Sequence, residues 1–212
     1  MKKFGFTLAE VLITLGIIGV VAALTAPALT KNTGQAKIGP ALAKFVNTFE
    51  VAAESLMNDQ NVDKLSSAVT TDATLGAAFA KYIVMSPLGK EYSHQGPKGE
   101  GSYKVYGVPY QLKDGSVAVF DYWSSGGDGK GAYKGIMGAV TVDIDGDKTS
   151  NRMGRDVFKF LIDDSGTLVP YGSNAYKYIY PYTTNTNCSL NNYAESLNCA
   201  GAIADNGWKA EY

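Results

Sequence analysis

The chain has 212 residues, a net charge of −1 and 18% charged side chains. That length suffices for one ordinary domain with a core of its own. The near-neutral balance lacks the clustered Lys and Arg of a nucleic-acid-binding surface, so no nucleic-acid partner is indicated. The first element begins with Lys2 and Lys3, then Gly5, then a long apolar run. From Val11 to Leu29 the only polar side chains are Thr14 and Thr25. A run of that length reads as a helix that crosses a hydrocarbon core. The two lysines set its N-terminus in the cytoplasm and the rest of the chain outside. Glu10 sits near its start. A carboxylate near the bilayer centre costs roughly 2.5–3.5 kcal/mol on insertion scales, so Glu10 reads as a functional group in need of a partner. A secretory signal peptide has a shorter apolar core, about 7–15 residues, and no such acid. A plain single-pass anchor fits the length but leaves Gly5-Phe6 and Glu10 unexplained.

The order Gly5, Phe6, Thr7-Leu8, Glu10 and then an apolar helix closely resembles the class III signal of type IV prepilins and type II secretion pseudopilins. The match covers the leader and the apolar helix; the rest of the chain resembles the family more loosely. The resemblance implies cleavage between Gly5 and Phe6 by a membrane prepilin peptidase and N-methylation of Phe6. It implies that Glu10 pairs with the amine of a neighbouring subunit during assembly. It implies an α+β fold: a long N-terminal helix, transmembrane in its first half, packed on an antiparallel β-sheet. The implied segments are a leader at 1–5, a transmembrane and assembly helix at 6–30, an amphipathic continuation at 31–58 and a globular domain at 59–212. The implied partners are copies of itself or related pilins, the peptidase, an inner-membrane assembly platform and membrane lipid. The implied location is the inner membrane, followed by an extracellular or periplasmic filament. The alternative left open is a membrane-anchored extracytoplasmic binding or adhesion module that never polymerises.

Phe6 to Asn58 reads as one helix with interruptions, on the order of 80 Å if continuous. Gly16, Gly19 and Pro27 weaken its apolar half, since proline removes a backbone donor. Gly19 and Pro27 match the family's glycine and proline around a stretch that unwinds in the filament; an ordinary kinked membrane helix fits them equally. Gly34 and the pair Gly39-Pro40 predict a hinge near residues 32–40. Beyond it, Leu42, Phe45, Val46, Phe49, Ala53 and Leu56 follow helical spacing and form one apolar face. Lys44, Asn47, Glu50 and Glu54 occupy the other side. The apolar face needs a cover, and a sheet from the same chain supplies it.

Asp72–Val84 predicts a second, short helix. Ser86–Gly101, rich in Gly, Pro, Ser and Lys, reads as a loop. Strands are expected at Tyr103–Leu112, Ser116–Tyr122, Ile136–Ile144, Val157–Ile162 and Thr167–Val169, with turns at Lys113-Asp114-Gly115 and Asp163-Asp164-Ser165-Gly166. Ser124–Gly131 reads as a flexible loop. The expected sheet has four or five strands.

The acidic stretch after the third strand carries Asp143, Asp145, Asp147 and Asn151, with Asp156 beyond. Calcium takes 6–8 oxygen ligands, and alternating carboxylates on a turning loop supply them. The D-x-D-G-D start resembles half of an EF-hand loop. No Glu closes it and no helix precedes it. A calcium site and a solvated acidic turn both fit. Cys188 and Cys199 lie outside the cytoplasm on this topology, where disulfides persist; many type IV pilins close a C-terminal loop with such a bond. Tyr176, Tyr178, Tyr180 and Tyr182 alternate, as on one face of a strand. No catalytic arrangement is legible, so the protein is not expected to be an enzyme. His94, the single histidine, reads as an exposed loop residue.

Overall fold

The computed structural model describes residues 8–96, 101–123, 135–147, 150–179 and 186–211, with backbone alone for 24–34. Gly5 and Phe6, the whole Ser124–Gly131 loop, and Tyr180 and Tyr182 lie outside the described residues. The chain divides into two compact units, Met1–Lys37 and Ile38–Tyr212.

Helix α1 (Leu8–Gln60) passes without a break through Gly34, Gly39 and Pro40. At Gly39 and Pro40, inside the second unit, the expected break gives way to helix. Ile38 and Leu42, both buried, bracket the Gly39-Pro40 pair and hold that turn helical by packing, which outweighs the local propensity. Gly39 serves another purpose. A Cβ there would lie 1.7 Å from the carbonyl oxygen of Trp208, so only glycine lets the C-terminal segment cross the helix this closely.

In the first unit, Leu8, Leu12, Ile13, Leu15, Ile17, Ile18, Val20 and Val21 are all exposed. A helix apolar on every side belongs in a membrane or inside a bundle. Among the described residues no helix is long and apolar enough to cross a membrane. The described side chains stop at residue 23, giving about 24 Å of helix, and the apolar run of the sequence continues to Leu29.

The second unit is built on a six-stranded antiparallel sheet. Its strands are β1 (Met85–Pro87), β4 (Val108–Leu112), β5 (Val117–Tyr122), β6 (Ile136–Asp143), β7 (Val157–Asp163) and β8 (Leu168–Pro170), side by side in that order. A separate two-stranded sheet pairs β2 (Tyr92–Gln95) with β3 (Ser102–Val105). Three of these strands fall where the sequence suggested loop or continuous strand. β2 and all of β1 but Met85 lie in the Ser86–Gly101 stretch, and β3 is severed from β4. The severance is at Gly107, which has φ +112° and no room for a Cβ beside the Phe120 carbonyl. The chain leaves one sheet and enters the other there.

One face of the six-stranded sheet receives α1. Leu42, Phe45, Phe49, Ala53 and Leu56 bury against Phe120, Val140, Phe158, Phe160 and Ile162. The predicted 3.6-residue spacing is thus the contact stripe. Phe49 stacks on Phe79 at 4.3 Å and faces Phe120 at 6.4 Å. Each such ring contributes roughly 1.5–3 kcal/mol of burial. Phe79 comes from α3 (Asp72–Phe79), whose start is closed by a capping box between Thr71 and Thr74. A one-turn helix, α2 (Leu65–Ala68), precedes it.

The opposite face is also covered. Tyr92, Val117, Val119, Met153 and Val157 form one cluster there, and Ile136, Ala139, Leu161, Val169 and Tyr176 another. Hence every residue of β6 is buried, which is why it reads as a continuous apolar run rather than an alternating one. The remaining helices are α4 (Asn174–Ile179), α5 (Tyr193–Leu197) and α6 (Cys199–Asp205).

Candidate functional site

Glu10 sits in the first turn of α1 and is exposed, within the apolar surface of the first unit. An acid in that turn faces the positive end of the helix dipole. The neighbouring hydroxyl is satisfied internally: Thr14 Oγ1 donates to the carbonyls of Glu10 (2.9 Å) and Val11 (3.0 Å). Thr14 therefore tolerates an apolar setting.

The acidic stretch is a second constellation. Asp143 ends β6 and is buried. Its Oδ1 accepts the amides of Asp145 (3.2 Å) and Gly146 (3.1 Å), forming a tight turn. Its Oδ2 accepts the Tyr92 hydroxyl at 2.8 Å and Asn151 Nδ2 at 2.5 Å. Burial pushes the Asp143 carboxyl up to about 7, and the hydrogen bonds from Tyr92 and the Asp145 amide oppose that rise. Burial likewise raises the Tyr92 phenol, reinforced by the charge of Asp143. Asn151 Nδ2 also donates to the Gly146 carbonyl at 2.8 Å and contacts Tyr92 Oη at 3.3 Å. Asn151 Oδ1 is buried without a partner. Asp147 points elsewhere, into an ion pair with Lys90. Asp156 binds the Arg152 amide and the Arg155 guanidinium.

Of the four expected calcium ligands, the fold thus brings Asp143 and Asn151 together and sends the Asp147 carboxylate to a lysine. Among the described residues no group of three or more His, Cys, Asp or Glu is placed to hold a metal ion. Tyr92 is the member that the sequence reading missed. The signal for it was the alternation Tyr92, Ser93, His94, Gln95, buried and exposed in turn.

Cys188 and Cys199 form a disulfide, with Cα atoms 4.5 Å apart. It ties the segment before α5 to the buried start of α6. His94 corrects the sequence reading. It is 3% exposed, lies on β2, and stacks with Tyr103 at 5.9 Å and Tyr193 at 5.8 Å. Burial holds its imidazole below the usual histidine range, opposed by its contact with the Gln95 carbonyl and by Asp156. The tyrosine series is likewise helical in its described part: Tyr176 is buried in α4 and Tyr178 is 91% exposed. The amide of Tyr176 is held by Ser173 Oγ at 3.1 Å, a helix-start contact that overrides the strand-like alternation.

The comparisons with known proteins agree with both units. Residues 1–26 match the family model described as "Prokaryotic N-terminal methylation motif". The chain is 28% identical over 130 residues to the type II secretion system core protein G of Pseudomonas aeruginosa, covering 61% of this chain and 87% of that protein. It is 31% identical over 129 residues to the protein of the same name from Dickeya chrysanthemi, covering 59% and 80%. No solved structure matches the chain significantly. A methylation motif, a helix packed on an antiparallel sheet, and similarity along most of those two relatives lead to one conclusion: the chain belongs to the family of type II secretion system core protein G.

Proposed function

We propose that this protein is a structural subunit of a type IV filament-family polymer, of the secretion-pseudopilin kind. Its N-terminal helix holds it in the inner membrane until prepilin peptidase cuts between Gly5 and Phe6 and methylates Phe6. It then polymerises with copies of itself, the second unit facing the periplasm. The observation that carries this reading is the surface of α1 from Leu8 to Val21: apolar on every side, with Glu10 among the exposed apolar residues. In a low dielectric the attraction between Glu10 and a neighbour's amine is far stronger than in water. It sets the axial register while the apolar side chains supply undirected contact. A monomeric anchor has no use for that acid.

The test is Glu10→Gln in cells carrying the assembly machinery. Insertion and cleavage after Gly5 persist, because losing a charge eases insertion. Incorporation into sheared filaments collapses. Equal incorporation of the variant and the wild type refutes the reading.

Calcium belongs to the same proposal. Three oxygens, from Asp143, Gly146 and Tyr92, converge on Asn151 Nδ2 while Asn151 Oδ1 lacks a partner. Turning that amide over sets Oδ1 among the other oxygens, an arrangement that a hard cation would hold together. Asp145 is exposed and adjacent.

A further inference from the structure

This inference rests on the filament reading and names a contact within it. We infer that Val51, on the exposed face of α1, docks into an apolar groove of a second copy displaced along the helix axis. The groove lies between α1 and the β4–β5 turn, has a volume of about 420 Å³, and is floored by Ala41, Phe45, Leu112 and Val142. Val84, 72% exposed, stands at its mouth. Its hydroxyls are already used: Thr48 Oγ1 donates to the Lys44 carbonyl at 2.8 Å and Ser116 Oγ to Asp114 at 2.5 Å. The groove therefore favours an apolar occupant. Its rim is basic on balance. Lys44 is paired with Asp114 at 3.1 Å, and Lys113 adds a second, exposed cation.

The matching surface is on the same chain. Before its last two residues, the exposed positions of α1 in the second unit are Pro40, Lys44, Asn47, Val51, Glu54 and Asn58, one face at heptad spacing. Val51 is 56% exposed. Charge along this face is polar. Lys37 and Lys44 lie toward its N-terminal end, and Glu54 toward its C-terminal end. That order opposes the helix dipole, which favours acids first and bases last, so stability of the single helix does not account for it. It does suit two copies shifted along the axis, where the acidic end of one meets the basic rim of the other.

The shift follows from helix geometry. The α1 residues of the groove centre between Lys44 and Phe45, and Val51 lies six to seven residues further on, about 10 Å at 1.5 Å per residue. A copy lowered by that distance presents Val51 to the groove and Glu54 to Lys113. Plug and groove are different patches, so the contact is head-to-tail. It repeats without closing, as a polymer requires and a two-fold dimer does not.

The test uses the full chain in cells carrying the assembly machinery, with Val51→Cys and Val84→Cys combined. A mild oxidant should give a ladder of dimers, trimers and higher species from the double variant and monomers from each single variant. In parallel, Lys113→Glu should reduce filament incorporation severalfold, and adding Glu54→Lys should restore it, because like charges across a contact repel and opposite charges attract. Wild-type filaments without a ladder and without charge rescue overturn this contact and leave the filament reading intact. Dimers from a single variant, or crosslinks to a different protein, overturn it also. Wild type that never polymerises overturns both.

Discussion

Gly39→Val puts the close approach of the C-terminal segment to a direct test. By helix propensity alone the substitution is mildly favourable, returning about 0.3 kcal/mol in a helix interior. The geometry points the other way. The added Cβ would sit 1.7 Å from the Trp208 carbonyl oxygen and 2.6 Å from its carbon. Backbone must retreat by about 1.5 Å to restore ordinary contact. That segment is not free to move. The Trp208 amide donates to the Ile203 carbonyl at 2.8 Å, the Gly207 amide to Ala204 at 3.1 Å, and the Trp208 ring packs on the core beside α1. Overpacking of this kind costs about 3 kcal/mol when the obstacle is backbone. The net loss is about 2.5 kcal/mol, a fall of about 5–10 °C in melting temperature for a domain of this size. The assay is thermal unfolding of residues 31–212 in a Trp123→Phe background, so that emission reports Trp208 alone. Ala36→Val, at an exposed neighbouring position, should cost no more than its helix-propensity loss of about 0.6 kcal/mol. A Gly39→Val protein with unchanged or raised melting temperature and native Trp208 emission refutes the argument.

Three further outcomes follow from the second unit. The carboxyl of Asp143 is raised in the folded state above its unfolded value, so the native protein keeps that proton longer; its contribution is fully present below pH about 4 and is lost as pH climbs toward about 7. Asp143→Asn should flatten that part of the stability–pH curve, and an unchanged slope in urea titrations counts against the buried-acid account. Millimolar calcium should raise the melting temperature of residues 31–212 by mass action on the native state, and Asp145→Ala should abolish the rise; no calorimetric response favours the plain acidic turn. Replacing Cys188 and Cys199 together by serine removes a crosslink across 11 residues, worth about 3 kcal/mol in the chain-entropy model; equal unfolding midpoints in urea would show that α6 holds its place without it.

What the sequence discloses is set by how far each signal reaches. The α1 stripe from Leu42 to Leu56 was legible because its spacing depends on the helix alone. β6 was legible because burial on both faces leaves an uninterrupted apolar run. Glu10 stood out because a carboxylate in such a run has a large cost. The errors share a cause: each residue's role depends on a partner far along the chain. Gly39 looked like a break because the segment it admits lies at Trp208. His94 looked exposed because the rings that cover it are Tyr103 and Tyr193. Tyr103–Leu112 looked like one strand because the Phe120 backbone that turns it at Gly107 comes later. The alternating tyrosines were read as a strand because the hydroxyl of Ser173 that starts α4 is a single contact without periodicity. In the acidic stretch, the carboxylates could be counted in advance, but not that Lys90 would claim Asp147.

The outermost strands of the six-stranded sheet, β1 and β8, are three residues each, and both end in proline, Pro87 and Pro170. The amide of Leu168 is taken by the Glu50 carboxylate of α1 at 3.1 Å. A long bare margin would invite another chain to add a strand, and proline and early termination withhold the donors this needs. For a molecule concentrated side by side with its own kind, that margin decides which polymer forms. Blunted borders leave cross-β growth without a template, so ordered growth falls to the helices. On this view Pro87, Pro170 and Glu50 guard against a fibre that could not be taken apart. Lengthening β8 by replacing Pro170 would put that safeguard at risk before it altered the fold.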